Sequence, residues 1–433
     1  MLSLLDLRGF TGDLRAALPR PSVASDVPLA AVREILADVK QRGDDALREL
    51  TQRFDGVELD TIRVPTADLQ RARDSIPASL REALDRAAEG IADFHASERA
   101  TEASYERDGI LVRTRPVPVD RAGCYVPGGR AVYPSTVLMT AIPARVAGVP
   151  QVVLCVPPDR ATGAVPQATL AAAAIAEVDE VYAVGGAQAI AAMAYGTDSI
   201  APVDVIVGPG NIYVAIAKRE LAGEGLVGIP SAFAGPSEVV VVADETTPVD
   251  SAAIDVIVQA EHGPHGLAWL ITWSEAVAEA VNAAIDRLVA RAPRRDDIEA
   301  TLAEGGYAVL VDGPEEAIAV ANAIAPEHLE LMCSDPDALV SLVRHAGAVF
   351  CGPWAPASVG DYIAGPSHVL PTFGSARFGQ ALTVADFTKL VHVVTLDEAA
   401  LGKVAPHVAA LAEAEGLAAH AASVRIRMTE EPR

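Results

Sequence analysis

Cysteine and aromatic residues are scarce in this sequence. The four cysteines are Cys124, Cys155, Cys333 and Cys351, and no two of them form a C-x-x-C pair. This spacing suggests neither a thiolate zinc cage nor a disulfide framework. Aromatic residues make up only 4% of the chain. We therefore expect its hydrophobic cores to be built from alanine, valine, leucine and isoleucine.

Positive charge is also in short supply. The chain has 34 Lys and Arg against 58 Asp and Glu, which gives a formal net charge of −24. Such a charge argues against nucleic acid and anionic membranes as partners, because both would be repelled. An anionic cofactor is still possible, since it needs only local hydrogen-bond donors.

Long apolar runs are missing as well. No stretch of about 18 uncharged apolar residues resembles a membrane span. The amino terminus lacks the basic segment and apolar run of a signal peptide, so we expect a cytoplasmic protein. At 433 residues the chain is long enough for two or three domains.

Short apolar runs alternate with helical patterns through most of the chain, after a mostly helical region at 28–105. The predicted strands are 152–156, 181–184, 203–207, 238–242, 267–272, 307–311 and 348–350. Nearly continuous apolar strands separated by helices predict parallel sheets covered on both faces. The predicted fold class is therefore α/β. We expect two parallel-sheet domains of an incomplete Rossmann-like type, a helical N-terminal region and a small C-terminal tail domain.

Two predicted strands run directly into glycine. Gly185 and Gly186 follow the strand at 181–184, and Gly208-Pro-Gly-Asn211 follows the strand at 203–207. Ligands of such sheets bind beyond the carboxyl ends of the strands, where small residues let the backbone approach a phosphate. Neither loop is a G-x-G-x-x-G motif. The pair indicates a nucleotide or phosphate site, and each loop alone is also compatible with an ordinary tight turn.

Four separated residues can form a nitrogen and oxygen ligand set for a metal. Gln259 and His262 are three residues apart at the end of a predicted helix, so their side chains share one face. Asp361 lies in a glycine- and proline-rich loop, and His420 lies in the tail. Two imidazoles, one carboxylate and one amide oxygen suit zinc, and to a lesser degree manganese or cobalt. The alternative is a helix end and loops with solvated polar residues.

Glu327 and His328 follow Pro326, a residue suited to the first position of a helix. A helix is therefore predicted to begin there. Its dipole would favour a charged carboxylate and a neutral imidazole, which together are two proton acceptors at neutral pH. A helix start with a surface histidine is the alternative.

Eight motifs in register resemble the histidinol dehydrogenase family over essentially the whole chain. The motifs are Tyr125-Val-Pro-Gly-Gly, Val184-Gly-Gly-Ala-Gln-Ala-Ile-Ala, Gly208-Pro-Gly-Asn, Ala234-Gly-Pro-Ser-Glu, Gln259-Ala-Glu-His-Gly-Pro, Pro326-Glu-His-Leu-Glu, Gly360-Asp-Tyr and Glu415-Gly-Leu-Ala-Ala-His. The resemblance implies oxidation of L-histidinol through L-histidinal to L-histidine, with two NAD used in succession and one zinc ion per subunit. It also implies an intertwined homodimer.

The resemblance also assigns roles to residues of this sequence. The implied zinc ligands are Gln259, His262, Asp361 and His420, with His420 contributed by the partner subunit. The implied substrate-binding residues are Ser237, Gln259, His262, His328, Asp361, His368, Glu415 and His420. The implied NAD contacts are Tyr125, Gln188 and Asn211. Glu327 and His328 are the implied catalytic residues. We expect His328 to accept the alcohol proton and Glu327 to activate water on the aldehyde.

Domain limits and rival functions complete the sequence-based expectations. The predicted parts are an arm at 1–24, a catalytic domain at 25–128 with 239–381, an NAD-contacting domain at 129–238, and a tail at 382–433 that is exchanged in the dimer. One rival function is a zinc hydrolase with Glu327 as general base, and another is a non-catalytic metal-binding scaffold. A rival mechanism would pass through a thiohemiacetal on Cys124 or Cys155, although neither has an adjacent histidine to lower its thiol pKa.

Overall fold

Helices and parallel strands alternate through most of the chain, as the apolar runs predicted. The computed structural model describes residues 1–19, 28–129, 131–230, 237–261 and 266–429. The chain separates into two compact units, Met1–Glu98 with Val119–Phe387 and Arg99–Pro118 with Thr388–Arg433. The four-part domain division expected from the sequence is finer than this separation and stays a prediction.

Strands occur along the whole length of the described chain. They are β1 (Ser3–Asp6), β2 (Arg63–Val64), β3 (Ala103–Arg107), β4 (Ile110–Pro118), β5 (Arg121–Tyr125), β6 (Gln151–Cys155), β7 (Glu180–Tyr182), β8 (Val205–Val207), β9 (Glu238–Ala243), β10 (Leu267–Thr272), β11 (Gly306–Leu310), β12 (His328–Met332), β13 (Ala348–Cys351) and β14 (Thr388–Thr395). Seven of them lie at the runs predicted from the sequence, because an apolar run bounded by glycine or polar residues is typical of a buried strand.

Helices fill the connections between these strands. They are α1 (Leu14–Ala17), α2 (Leu29–Arg42), α3 (Asp44–Asp55), α4 (Thr66–Ser75), α5 (Ala78–Ser97), α6 (Pro134–Ala147), α7 (Gln167–Ile175), α8 (Gly186–Tyr195), α9 (Ile212–Gly223), α10 (Val249–Ala260), α11 (Glu275–Val289), α12 (Arg295–Gly305), α13 (Pro314–Ile324), α14 (Pro336–Val340), α15 (Ala357–Tyr362), α16 (Glu398–Ala414) and α17 (Ala418–Thr429), with short 3-10 turns at Ser375–Arg377 and Val384–Phe387. Among the described residues, every helix is too short or too polar to cross a membrane.

One sheet of the larger unit contains six parallel strands in the order β1-β11-β10-β9-β12-β13. Side chains alternate between its faces, as they do in any strand. Val240, Leu329 and Leu331 pack with α13 on one face. Val239 and Val241 pack with α10 and α11 on the other face. Both faces are covered, as is usual for a parallel sheet.

The second sheet has five strands in the order β2-β7-β6-β5-β8, and only the edge strand β2 runs antiparallel. Helices α2 to α5 of the N-terminal region share one hydrophobic core with this sheet. Helices α6 to α9 contribute to the same core. The α/β class with parallel sheets is therefore confirmed.

The smaller unit is an antiparallel sheet in the order β14-β4-β3, followed by α16 and α17. Its helices enclose only a small alanine cluster of Ala409, Ala412 and Ala421. Several larger apolar side chains of this unit are exposed, among them Leu390, Leu411 and Ile426. So small a core supplies little hydrophobic stabilisation of its own.

Candidate active site

The predicted proton acceptors lie at the amino edge of the six-stranded sheet. His328 is the first residue of β12 and pairs in register with Val239, the second residue of β9. Helix α10 follows β9 and precedes the parallel strand β10, so it runs back towards this edge and brings Gln259 there. Residues far apart in the sequence therefore meet where these strands begin.

Glu327 and His328 are both almost completely buried and share the backbone of Glu238 as a partner. The Glu238 amide donates to Glu327 Oε2 at 2.9 Å. The Glu238 carbonyl lies 3.2 Å from His328 Nδ1, which is also 3.6 Å from Glu327 Oε2. A protonated Nδ1 can donate to that carbonyl, which leaves Nε2 as the nitrogen able to accept a proton. The side chain of His328 is thus oriented by the main chain of β9.

Burial and neighbouring charges, and not a helix dipole, shift the pKa values of this pair. Burial raises the pKa of Glu327 to about 7. Burial lowers the pKa of His328, but the charges of Glu327 and Asp361 outweigh it and raise that pKa to about 9. Glu327 can therefore exchange a proton near neutral pH, whereas His328 can accept one at Nε2 only after it has lost its own.

The predicted helix start at Glu327 and His328 is also wrong. Helix α13 ends at Ile324, and Ala325 adopts a left-handed conformation with φ of 55°. The chain then enters β12, in which Leu329 and Leu331 face α13. Buried leucines therefore recur at every second residue here, which is the pattern of a strand. This pattern outweighs the preference of proline for the first position of a helix.

Asp361 and His368 belong to the same region, although Asp361 lies in helix α15 and the prediction that it lies in a loop is wrong. His328 Nε2 lies 3.4 Å from Asp361 Oδ1. The carbonyl of Asp361 is 2.9 Å from His368 Nδ1, and His368 Nε2 is 3.1 Å from Thr136 Oγ1 on α6. The loop that follows α15 is thus hydrogen-bonded to a helix of the five-stranded sheet. The structure thus places Asp361 beside His328 and His368 beside Asp361.

Gln259 has an unusual environment for a metal-ligand candidate. Its side chain is 1% exposed, and its Nε2 lies 3.4 Å from His328 Nδ1. Its Oε1 is buried without a hydrogen-bond partner among the described residues. A buried amide oxygen without a hydrogen-bond partner lowers the stability of the fold unless a ligand binds to it. The Oε1 atom is therefore suited to bind a metal ion or a polar group of a substrate.

The other two predicted metal ligands are His262 and His420. His262 lies outside the described residues. His420 is the third residue of α17 and is exposed in the smaller unit. Within the described ranges, no cluster of three or more His, Cys, Asp and Glu side chains could hold a metal. The complete four-ligand set therefore stays a prediction.

The two remaining substrate candidates occupy different parts of the molecule. Ser237 is half-buried and immediately precedes β9, next to the Glu238 backbone that contacts the proton acceptors. Glu415 caps the carboxyl end of α16 in the smaller unit and is exposed. Ser237 is thus a neighbour of the described cluster.

The three predicted NAD contacts line one cavity of about 400 Å³ at the carboxyl edge of the five-stranded sheet. Tyr125 ends β5, and its hydroxyl accepts a hydrogen bond from the Gly186 amide at 3.0 Å. Gln188 lies in the first turn of α8, and Asn211 caps α9. This edge is where parallel sheets bind nucleotides.

The loop before α9 requires glycine at its first position. Gly208 has φ of +107°, and a Cβ atom there would lie 2.0 Å from the carbonyl oxygen of Tyr125. Only glycine tolerates both the conformation and the close approach. The loop can therefore follow β8 closely and present Asn211 to the cavity.

Sequence reasoning missed other residues that line this cavity. Phe54 and Asp55 end α3, and Tyr213 lies in the first turn of α9. Phe54 and Tyr213 are partly exposed and offer aromatic faces. The residues around Phe54 show only the pattern of an amphipathic helix. Nothing in that pattern indicates a ligand-binding residue.

The cysteines proposed for a rival mechanism are poorly placed for covalent catalysis. Cys124 in β5 and Cys155 in β6 are completely buried. Burial raises the pKa of the Cys124 thiol to about 12 and that of the Cys155 thiol even further. A thiol with so high a pKa is almost entirely protonated at neutral pH and is a weak nucleophile.

These features are those of an α/β enzyme with a buried carboxyl and imidazole pair at one parallel sheet and a cavity of about 400 Å³ at another. The profile of the family described as histidinol dehydrogenase matches residues 18–428. The chain therefore belongs to the histidinol dehydrogenase family and is an oxidoreductase.

Relatives agree with this assignment over the full length. The chain is 48% identical over 396 residues to the histidinol dehydrogenase of Parasynechococcus marenigrum (strain WH8102), covering 91% of this chain and 90% of that protein. It is 47% identical over 436 residues to the histidinol dehydrogenase of Thermobifida fusca (strain YX), covering 100% and 98%. The crystal structure of histidinol dehydrogenase from Elizabethkingia anophelis has a TM-score of 0.93 at 32% identity, covering 99% of this chain and 98% of that chain.

Proposed function

We propose that this enzyme oxidises L-histidinol to L-histidine through L-histidinal, with two successive hydride transfers to NAD, as the last steps of histidine biosynthesis. The observation that carries the proposal is the burial of Glu327 and His328 against the Glu238 backbone, with His328 in contact with Asp361. Two proton acceptors are needed, since each oxidation removes a proton as well as a hydride.

A zinc ion fits the donor set at this edge. Gln259 and Asp361 would hold it together with His262 and His420, and the buried Oε1 of Gln259 is available for such a bond. When bound, zinc would hold and orient the imidazole and amine of the substrate without exchanging electrons. Ser237, His368 and Glu415 are proposed to bind the substrate beside these ligands.

NAD fits the cavity lined by Tyr125, Gln188 and Asn211. When bound, its nicotinamide would accept the hydride, which the protein side chains cannot do. The aromatic faces of Phe54 and Tyr213 at the same cavity suit an adenine ring. The cavity is therefore proposed as the cofactor site.

The two proton acceptors have separate roles in the proposed mechanism. His328 Nε2 accepts the proton of the substrate hydroxyl as the carbinol hydride leaves. Glu327 accepts a proton from the water that adds to the aldehyde, giving a hydrate that loses the second hydride. The burial of both side chains keeps bulk water away from the aldehyde between the two steps.

The discriminating experiment measures NADH formed per histidinol consumed by the purified, zinc-loaded protein. We expect a ratio near two. A ratio near one would mean that oxidation stops at the aldehyde. No NADH formation, with hydrolysis of an ester or amide substrate instead, would favour the zinc hydrolase with Glu327 as general base.

We also propose a cytoplasmic homodimer in which the tail reaches the partner's site. The smaller unit supports this proposal because its own core is small and its larger apolar side chains, including Leu390 and Leu411, are exposed. Exposed apolar surface of this kind is typical of an interface. The proposed partner is a second copy of the chain.

A further inference from the structure

The segment that joins Asp361 to His368 is held against two helices of the larger unit. Gly365 has φ of +107°, and a Cβ atom there would lie 2.9 Å from the carbonyl oxygen of Gly90 on α5. Only glycine allows so close an approach in this conformation. Ser367 is 2% exposed, and its hydroxyl donates to a main-chain carbonyl of α6 at 3.0 Å. The path of the segment is therefore fixed at two points.

Thr136 on α6 makes a third contact with this segment, and its partner is His368 itself. Thr136 is 2% exposed, and its Oγ1 lies 3.1 Å from His368 Nε2. It is the third residue of α6. Met139, whose carbonyl accepts from Ser367, lies three residues further along and therefore on the same face of the helix. Two neighbouring hydrogen bonds thus join α6 to the segment.

The two ring nitrogens of His368 have different tasks in this arrangement. Nδ1 lies 2.9 Å from the carbonyl oxygen of Asp361, which can only accept, so Nδ1 carries the proton of this bond. In the neutral imidazole Nε2 is then an acceptor, and the Thr136 hydroxyl is its donor. While both bonds hold, the ring offers only its carbon atoms to a substrate.

The bond from His368 stabilises the carboxyl end of α15. Asp361 is the fifth of the six residues of that helix, and the last carbonyl groups of a helix have no partner within it. The imidazole donates to one of them. The carboxylate of Asp361 in turn lies 3.4 Å from His328 Nε2. Thr136 is therefore connected to a proposed proton acceptor through His368 and Asp361.

We propose that Thr136 is a positioning residue of the active site. Its hydroxyl fixes the orientation and tautomer of the His368 ring, which holds the main chain of Asp361 and so keeps that carboxylate beside His328. The consequence for zinc rests on the proposed function, because Asp361 is a proposed ligand. Hydrogen-bond partners behind a metal ligand typically change metal affinity or activity by about 10- to 100-fold.

Thr136→Val and Thr136→Ser test the hydroxyl directly. Valine keeps the branched shape and removes the donor, whereas serine keeps the donor. We expect Thr136→Val to release zinc to a chelator about tenfold faster than wild type and to lose a similar factor in kcat/KM for histidinol. Its KM for NAD should stay near that of wild type, since the described lining of the Tyr125 cavity does not include Thr136. Thr136→Ser should recover most of both losses.

Thr140→Val is the matched control. Thr140 is completely buried on the same helix, and its hydroxyl donates to the carbonyl groups of Thr136 and Val137. This variant also loses a buried hydroxyl, so it should lower the melting temperature as much as Thr136→Val does. It should keep its zinc and its activity, because its hydroxyl has no contact with the 361–368 segment.

Hydrogen exchange of the zinc-free proteins tests the positioning without the metal or the reaction. Peptides that cover residues 361–368 should exchange faster in Thr136→Val than in wild type and in Thr140→Val, because the segment has lost one of its contacts with α6. Equal exchange in all three proteins would overturn the proposal. Faster exchange confined to Thr136→Val supports it even if wild type forms no NADH, and that second result would count against the proposed function alone.

The activity measurements can also contradict the positioning role. The proposal is wrong if Thr136→Val releases zinc no faster than Thr140→Val, or if Thr136→Ser is as impaired as Thr136→Val. Unchanged or tighter histidinol binding by Thr136→Val would overturn it as well. In that case His368 would use Nε2 to bind the substrate, and the bond from Thr136 would only compete with it.

Discussion

Glu327 and His328 are adjacent in the sequence, yet each is held by a different atom of Glu238. The amide of Glu238 donates to the carboxyl group, and its carbonyl faces the imidazole. One backbone unit therefore fixes both proton acceptors. Glu327, just before β12, and His328, its first residue, are therefore held side by side, as the two proposed proton transfers require.

Glu327→Gln tests the proposed division of roles. Because Gln cannot accept a proton from water, we expect aldehyde oxidation to fall by roughly 10²- to 10⁴-fold. Alcohol oxidation, which relies on His328, should change far less. Single-turnover NADH formation from histidinol and from histidinal, each supplied separately, measures the two steps.

Glu279→Gln serves as the control, since Glu279 lies on the surface of α11. The division of roles would be wrong if Glu327→Gln blocked alcohol oxidation and left aldehyde oxidation intact.

At the scale of single elements, helix α9 contains a lysine in an apolar environment. Lys218 is 1% exposed, and its Nζ donates to the carbonyl of Gly208 in the loop that precedes the helix. Burial lowers the pKa of Lys218 to about 7. The helix is thus linked to the proposed cofactor loop by a side chain that can lose its charge near neutral pH.

Lys218→Met should change how stability depends on pH. The unfolded lysine titrates near 10.4, so the unfolded state binds more protons between about pH 7 and 10 and wild-type stability rises with pH in that window. The free energy of unfolding of Lys218→Met relative to wild type should therefore fall by at most about 1.4 kcal/mol per pH unit over this range.

Chemical denaturation between pH 7 and pH 10 measures this difference. Lys40→Met is a suitable control, because Lys40 is exposed on α2. A constant difference between Lys218→Met and wild type would mean that Lys218 keeps its charge in the folded protein.

The sequence predicted strands correctly where an apolar run was long. It failed where the conformational preference of one residue opposed the pattern of its neighbours. The run at 267–272 coincides with β10, since every residue of that strand is buried. Strand β12 was missed because Pro326 favours a helix start, although the alternation of His328, Leu329 and Glu330 indicates a strand. Strand β2 has only two residues, too few for a periodic signal.

At the scale of the whole molecule, the proposed dimer makes a sharp prediction for co-expressed variants. Asp361→Ala and His420→Ala should each be inactive alone. If His420 acts in the partner's site, a mixed dimer contains one intact site, and random pairing should restore about one quarter of wild-type activity. Activity per subunit and zinc content of the mixture measure the result.

Co-expression of Asp361→Ala with Gln259→Ala is the matched control. Both residues belong to the larger unit, so this mixture should stay inactive. If the Asp361→Ala and His420→Ala mixture also stays inactive while it forms dimers, His420 serves its own subunit.

The sequence by itself determined the α/β class, the order of most strands and helices, and the residues proposed to bind and react. Those features follow from local periodicity and from motifs, which need no knowledge of the fold. The tertiary structure alone decided that His328 begins a strand, with Glu327 just before it, at the amino edge of a sheet. It also decided that Phe54 reaches the cavity of Tyr125. The physical reason is that such contacts depend on strand order and helix packing, which join residues far apart in the chain.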